Sequence, residues 1–287
     1  MELHHYKDVS KRGRIERLQY IFTTAEGKKL AKAANVYLPY GYSEEKKYNV
    51  LYVIHGGGGN EDAWLDTAQT KNMLDQLNAE GKIKPTIVVF PTYYHDDPQE
   101  MHSKGLPMNW ESDQIVAFQK ELRDYVIPAV ETRYSTYADG VSLEAMQASR
   151  WHRAISGFSM GGGTTWNAFL MNMDIIANFL PLSGDCWILE IRGGATKTVE
   201  TVEAMIKKVK ENGFTKDDFK VWAATGTTDI AYPALTPMIQ EMKQRTEMFD
   251  FSEDMSQGNL HYVLKEDAPH AYEEVYHHLY NFLPYVF

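Results

Sequence analysis

Ser159 lies in Gly157-Phe158-Ser159-Met160-Gly161, a G-x-S-x-G pentapeptide. The short run Trp151 to Ser156 leads in as a strand, and Met160 to Asn172 leads out as a helix. A serine on so sharp a strand-to-helix turn projects its hydroxyl away from the backbone, and flanking glycines let the chain cross close to its neighbours. The chemistry such a serine serves is attack on an acyl carbonyl. Its hydroxyl is a weak nucleophile at neutral pH, so it needs a base within hydrogen-bond reach and an acid that orients the base.

On a fold with this kind of turn the order along the chain is Ser, then Asp or Glu, then His, the last two in loops past strand ends. Asp229 fits, at the end of Thr225-Gly226-Thr227-Thr228-Asp229 behind a strand at Phe219 to Ala223. Asp185 and Asp267 compete with it, and any one loop Asp is more often a turn former or a cap. His270 is the best base, in Asp267-Ala268-Pro269-His270 behind a strand at Leu260 to Leu264. His261 falls inside a strand pattern, and His277 and His278 inside a helix. His55 opens the run His55-Gly56-Gly57-Gly58-Gly59 and is read as shaping that loop.

A tetrahedral intermediate carries an oxyanion that needs preorganised N–H donors. Met160, directly after the serine, supplies one, and the glycine loop the other, Gly57 first and Gly58 next. A phosphate-cradling role for that loop is disfavoured because no Lys-Ser/Thr follows it. No metal or other cofactor is expected, since His95-Asp96-Asp97 are adjacent loop residues without defined ligand geometry. The single cysteine, Cys186, reads as a small buried hydrophobe.

These residues need a scaffold. Arg14 to Thr24 and Ala31 to Leu38 read as two opening strands. Short apolar runs then follow at Val50–Ile54, Thr86–Phe90, His152–Ser156, Asn178–Leu182, Phe219–Ala223 and Leu260–Leu264. Helical patterns separate them at Thr67–Glu80, Asp113–Ala129, Met160–Asn172, Val199–Glu211 and Pro233–Met248, with a last one at Ala271–Phe282. The expectation is an α/β fold of the α/β-hydrolase kind, a mixed, mostly parallel sheet with helices on both faces, as one domain over 1–287. Tyr93 to Glu111 reads as a long polar loop, either a lid or a plain excursion.

With 287 residues, 44% hydrophobic and 24% charged, the chain can bury a large core. A net charge of −10 disfavours nucleic acid and anionic membranes as partners. No run of 18 apolar residues occurs. Met1 to Lys7 has no apolar stretch of the leader type, so the expectation is a cytoplasmic protein or a mature chain whose leader was removed.

The chain resembles carbohydrate esterase family 1, above all its feruloyl esterase domains. The resemblance runs over most of the chain. It is carried by Val53-Ile54-His55-Gly56-Gly57-Gly58-Gly59-Asn60-Glu61-Asp62-Ala63-Trp64, Gly81-Lys82-Ile83-Lys84-Pro85, Gly157-Phe158-Ser159-Met160-Gly161-Gly162, Pro181-Leu182-Ser183-Gly184, Gly226-Thr227-Thr228-Asp229 and Pro269-His270. It implies a Ser159–His270–Asp229 triad and hydrolysis of feruloyl or p-coumaroyl esters on arabinoxylan. It also implies a feruloylated plant cell-wall polysaccharide or oligosaccharide as partner, and favours secretion. Similar enzymes cleave acetyl-xylan, S-formylglutathione or siderophore esters, the alternative for this chain. Trp187, Tyr232 and Tyr272 near the proposed site, with Trp110 in the loop, are candidate walls for a phenolic acyl group.

Overall fold

The computed structural model describes Tyr6 and residues 8–67, 69–96 and 109–287, apart from the side chains of Asn109 and Glu111. Eight strands form one sheet: β1 (Arg14–Thr23), β2 (Lys29–Leu38), β3 (Asn49–Ile54), β4 (Thr86–Phe90), β5 (Arg153–Phe158), β6 (Asn178–Leu182), β7 (Lys220–Gly226) and β8 (Leu260–Lys265). Their spatial order is β1-β2-β4-β3-β5-β6-β7-β8. The β1–β2 and β2–β4 pairs are antiparallel and the remaining pairs parallel, so the sheet is mixed and mostly parallel, as expected.

Central strands of such a sheet are covered on both faces, which explains their unbroken apolar runs. All six residues of β3 are buried. Val50, Tyr52 and Ile54 enter one core, while Leu51 and Val53 enter the other. Helices α1 (Gln69–Ala79) and α9 (Tyr272–Val286) cover the second core through Met73, Leu74, Leu77, Val275, Leu279 and Phe282. The first core lies under α2 (Asn109–Glu121), α3 (Ile127–Arg133), α5 (Met160–Met171), α7 (Thr198–Glu211) and α8 (Tyr232–Gln244). Two short helices lie between these elements, α4 (Leu143–Ala148) ahead of β5 and α6 (Gly193–Thr196) ahead of α7. Every residue of α5 from Met160 to Leu170 is buried, so this helix is enclosed rather than amphipathic.

Several boundaries differ from the sequence expectation. The strand expected at Phe219–Ala223 runs from Lys220 to Gly226, so Thr225 and Gly226 lie in β7 and not in the loop before Asp229, because pairing with β8 continues to Gly226 opposite Lys265. The helix expected over Pro233–Met248 runs from Tyr232 to Gln244. The helix expected over Asp113–Ala129 begins at Asn109 and passes through a widened π turn at Leu122–Val126 before α3. Pro128 lies in the first turn of α3 and has no N–H to give, and the wide turn before it takes up the mismatch. The strand expected at His152–Ser156 runs from Arg153 to Phe158, because pairing with β6 extends to Phe158 opposite Leu182. The loop expected over Tyr93 to Glu111 includes 97–108, which lie outside the described residues, and Trp110 falls in α2 instead of in a loop.

Successive strands run outward from β3 to β4, and the chain then crosses back over β3 to β5. In open α/β sheets such a reversal leaves a crevice at the carboxyl ends of the strands, where ligands bind. The loops after β3 and β5, which carry Gly57 and Ser159, open there.

Candidate active site

Ser159 occupies the turn between β5 and α5 with φ 59° and ψ −117°. A non-glycine residue there costs on the order of 1–3 kcal/mol and persists only when its surroundings hold it. The holding groups are visible: Ser159 N–H donates to Leu182 O at 3.0 Å, and Ser159 O accepts from Gly163 N–H at 3.1 Å. The glycine spacing has a steric cause. A Cβ on Gly157 would run into the backbone of Gly161, and one on Gly161 into the carbonyl oxygens of Ile54 and His55 at the end of β3.

His270 lies between β8 and α9, and its Nε2 is 2.9 Å from Ser159 Oγ. Its Nδ1 is 2.7 Å from Asp229 Oδ1. The ring also packs on Phe158, with centroids 4.5 Å apart. Asp229 Oδ1 accepts a second bond from Ala231 N–H at 2.7 Å. Burial alone would raise the Asp229 carboxyl, but the bonds from His270, Ala231 N–H and the Ser183 hydroxyl outweigh it and hold it below its ordinary value. The carboxylate is therefore charged at neutral pH, and the imidazole nitrogen facing it carries the proton. Nε2 is left to accept from the serine hydroxyl.

The rival residues lie elsewhere. Buried Asp185 accepts from Trp187 Nε1 at 2.9 Å and from Gly194 N–H at 3.0 Å. Burial raises its carboxyl above the ordinary value despite these bonds. Asp267 is exposed, with its N–H on Thr227 Oγ1. His261 sits in β8 against Ser252 O, and His277 and His278 are buried in α9. Buried Cys186 has its thiol pushed up to about 12 by desolvation, so it is no nucleophile. His95 Nε2 is 2.9 Å from Glu121 Oε2. Asp97 lies outside the described residues. Among the described residues no group of three or more His, Cys, Asp or Glu side chains is gathered to hold a metal ion.

Met160 is the first residue of α5, where a helix has N–H groups without an intrahelical acceptor. Gly57 packs against the Met160 side chain: a Cβ on Gly57 would lie 2.9 Å from its Sδ. In the glycine loop, Gly56 N–H donates to the Tyr272 hydroxyl at 3.2 Å, Gly58 N–H to the Tyr94 hydroxyl at 2.9 Å and Gly59 N–H to Gly56 O at 3.1 Å. Gly57 N–H has no acceptor among the described residues.

The aromatic candidates divide by surroundings. Half-buried Trp187 lies against Gly163 at the start of α5, close to the serine turn. Half-buried Tyr232 opens α8, three residues past Asp229. Trp110 stacks on Tyr94 with centroids 5.6 Å apart. Tyr272 packs edge-on to Phe158 and Trp64 and holds Gly56 through its hydroxyl. Thr92, Tyr93 and Tyr94, none of them expected at the site, bear on the glycine loop from just past β4. The signal available was a tyrosine pair separated by two residues from a buried strand, at the same end of the sheet.

A serine on a strained turn, hydrogen-bonded to a histidine and through it to a carboxylate at the carboxyl edge of this sheet, defines the α/β-hydrolase class. The chain belongs to the esterase family, whose model matches residues 31–278. It is 36% identical to a solved feruloyl esterase module from Clostridium thermocellum complexed with sinapinate, covering 98% of this chain and 90% of that one at a TM-score of 0.83. Among curated proteins it is 37% identical over 257 residues to endo-1,4-beta-xylanase Y of Acetivibrio thermocellus, which is 89% of this chain and 22% of that protein. It is 32% identical over 194 residues to an endo-1,4-beta-xylanase/feruloyl esterase of Xylanibacter ruminicola, 64% of this chain and 23% of that protein. The chain thus spans under a quarter of the length of these two curated relatives. A ferulic acid esterase from Anaeromyces mucronatus, 20% identical with a TM-score of 0.69 over 98% of this chain and 93% of that one, shares the fold.

Proposed function

We propose that this chain is a serine esterase that releases ferulate or p-coumarate from feruloylated plant cell-wall arabinoxylan or its oligosaccharides. The observation that carries the reading is the bond sequence Ser159 Oγ–His270 Nε2–His270 Nδ1–Asp229 Oδ1, at 2.9 and 2.7 Å. The acyl group is argued from likeness to the sinapinate-bound feruloyl esterase module.

In this reading Ser159 attacks the ester carbonyl while His270 takes its proton. The N–H groups of Met160 and Gly57 receive the oxyanion, and Asp229 stabilises the imidazolium. His270 next protonates the departing sugar oxygen. A water, activated by the same imidazole, then releases the acid from the acyl-enzyme. Trp187, Tyr232 and Trp110 are proposed to flank the phenolic ring. A cell-wall polymer as substrate places the enzyme outside the cell that makes it.

Product release from methyl ferulate beside an acetyl ester, for wild type and Ser159→Ala, tests this. Ferulate release that disappears in Ser159→Ala is the expected result. Acetate release alone would move the substrate to small acyl groups, and turnover retained in Ser159→Ala would remove the nucleophile assignment.

A further inference from the structure

Gly57 N–H belongs to the same peptide plane as Gly56 C=O. In a trans peptide the two point in opposite directions, so whatever fixes the carbonyl also aims the N–H. Three donors converge on Gly56 O: the Tyr93 hydroxyl at 3.0 Å, His55 Nδ1 at 2.7 Å and Gly59 N–H at 3.1 Å. A carbonyl oxygen only accepts, so His55 carries its proton on Nδ1. Its Nε2 then accepts from the Thr92 hydroxyl, 2.8 Å away. Burial pushes the His55 imidazole down to about 4, so it stays neutral and this one tautomer persists at working pH.

We propose that Tyr93 and His55 are positioning residues for the oxyanion donor, clamping the Gly56–Gly57 peptide so that Gly57 N–H faces the carbonyl under attack. The Tyr272 and Tyr94 hydroxyls hold the N–H groups on either side, leaving Gly57 as the loop's inward donor. Donors on the Gly56 carbonyl also polarise its amide, which strengthens the N–H at the other end of the plane. Tyr272 on this view serves the loop instead of the acyl ring. The inference rests on the proposed esterase mechanism, because it presumes an oxyanion at Gly57.

The test is steady-state hydrolysis of methyl ferulate together with the rate of inactivation by a fluorophosphonate, whose phosphoryl oxygen draws on the same N–H groups. Tyr93→Phe keeps the ring and deletes one donor. Its kcat is expected to fall about tenfold with KM unchanged, and the inactivation rate to fall in step, a fraction of the loss seen when an oxyanion donor itself is removed. His55→Asn, whose amide N–H can stand where Nδ1–H stood, is expected to retain more kcat than His55→Leu. If the His55 variants do not fold, Thr92→Val, which removes the partner of Nε2, replaces them with the same expected loss of kcat. Wild-type kcat in Tyr93→Phe beside an inactive Ser159→Ala would overturn this inference alone. A raised KM at constant kcat would do so too. Full turnover in Ser159→Ala would instead overturn the mechanism beneath it.

Discussion

At Ser159 the hydroxyl is presented by a backbone that the serine itself disfavours. The strain is held by Leu182 O on one side and Gly163 N–H on the other. The same division of labour holds at Asp229, where one oxygen serves both His270 and Ala231 N–H. Asp229→Asn keeps the shape but can turn an amide N–H toward His270 Nδ1, forcing the proton onto Nε2, where it cannot accept from Ser159. We expect kcat for a ferulate ester to fall on the order of 10³- to 10⁴-fold with little change in KM and in thermal melting; a loss under tenfold would show that another group orients the histidine.

At this scale the three side chains that the fold brings into one hydrogen-bonded row were legible, because Ser, Asp and His stood in chain order behind apolar strands. The supporting tyrosines were not. Tyr272 reaches Gly56 across 216 residues of sequence, and nothing in its local pattern shows that its hydroxyl is an acceptor for a backbone N–H. As an aromatic beside the site it reads naturally as a ring wall, and only packing against Phe158 and Trp64 shows how it is held.

Among the elements, β5, β3 and α5 meet at contact distance. Gly161 of α5 lies against the carbonyl oxygens of Ile54 and His55, and neither strand nor helix can retreat, since both are buried. Gly161→Ala should therefore cost about 2 kcal/mol or more in stability, with loss of soluble protein as the severe outcome. Urea unfolding with an unchanged midpoint would contradict this packing. Each strand was legible as an element, since a parallel strand buried on both faces has to be an apolar run, but β5 and β7 run two and three residues past their expected ends. The π turn at Leu122–Val126 was hidden because a switch from i→i+4 to i→i+5 bonding leaves the apolar spacing nearly unaltered. The forward shift of β5 was hidden because Gly157, which suggests a turn, also sits in the ladder opposite Pro181.

For the molecule as a whole, two buried imidazoles tie stability to pH. His55 and His278 are both pushed down to about 4 by burial, while in the unfolded chain each titrates near the ordinary 6.5. Between those values the unfolded chain binds more protons than the folded one, so stability declines as pH falls from about 6.5 to about 4. Asp229, lowered in the fold, adds a further loss at more acidic pH, below its ordinary value. Together the two histidines should remove several kcal/mol over that window. Urea midpoints at pH 7.5 and pH 5 measure it, and a higher midpoint at pH 5 would refute it.

Gly57, Ser159, Asp229 and His270 come from the ends of four strands spread along most of the chain, and they meet only because the sheet is complete. His270, the proposed base, arrives last, behind β8. A polypeptide finished through α8 already has its serine and its carboxylate and no imidazole to join them. On the proposed mechanism, such a chain stays silent toward esters during biosynthesis or refolding until the final strand and helix dock, so the assembly of the fold serves as its own on-switch.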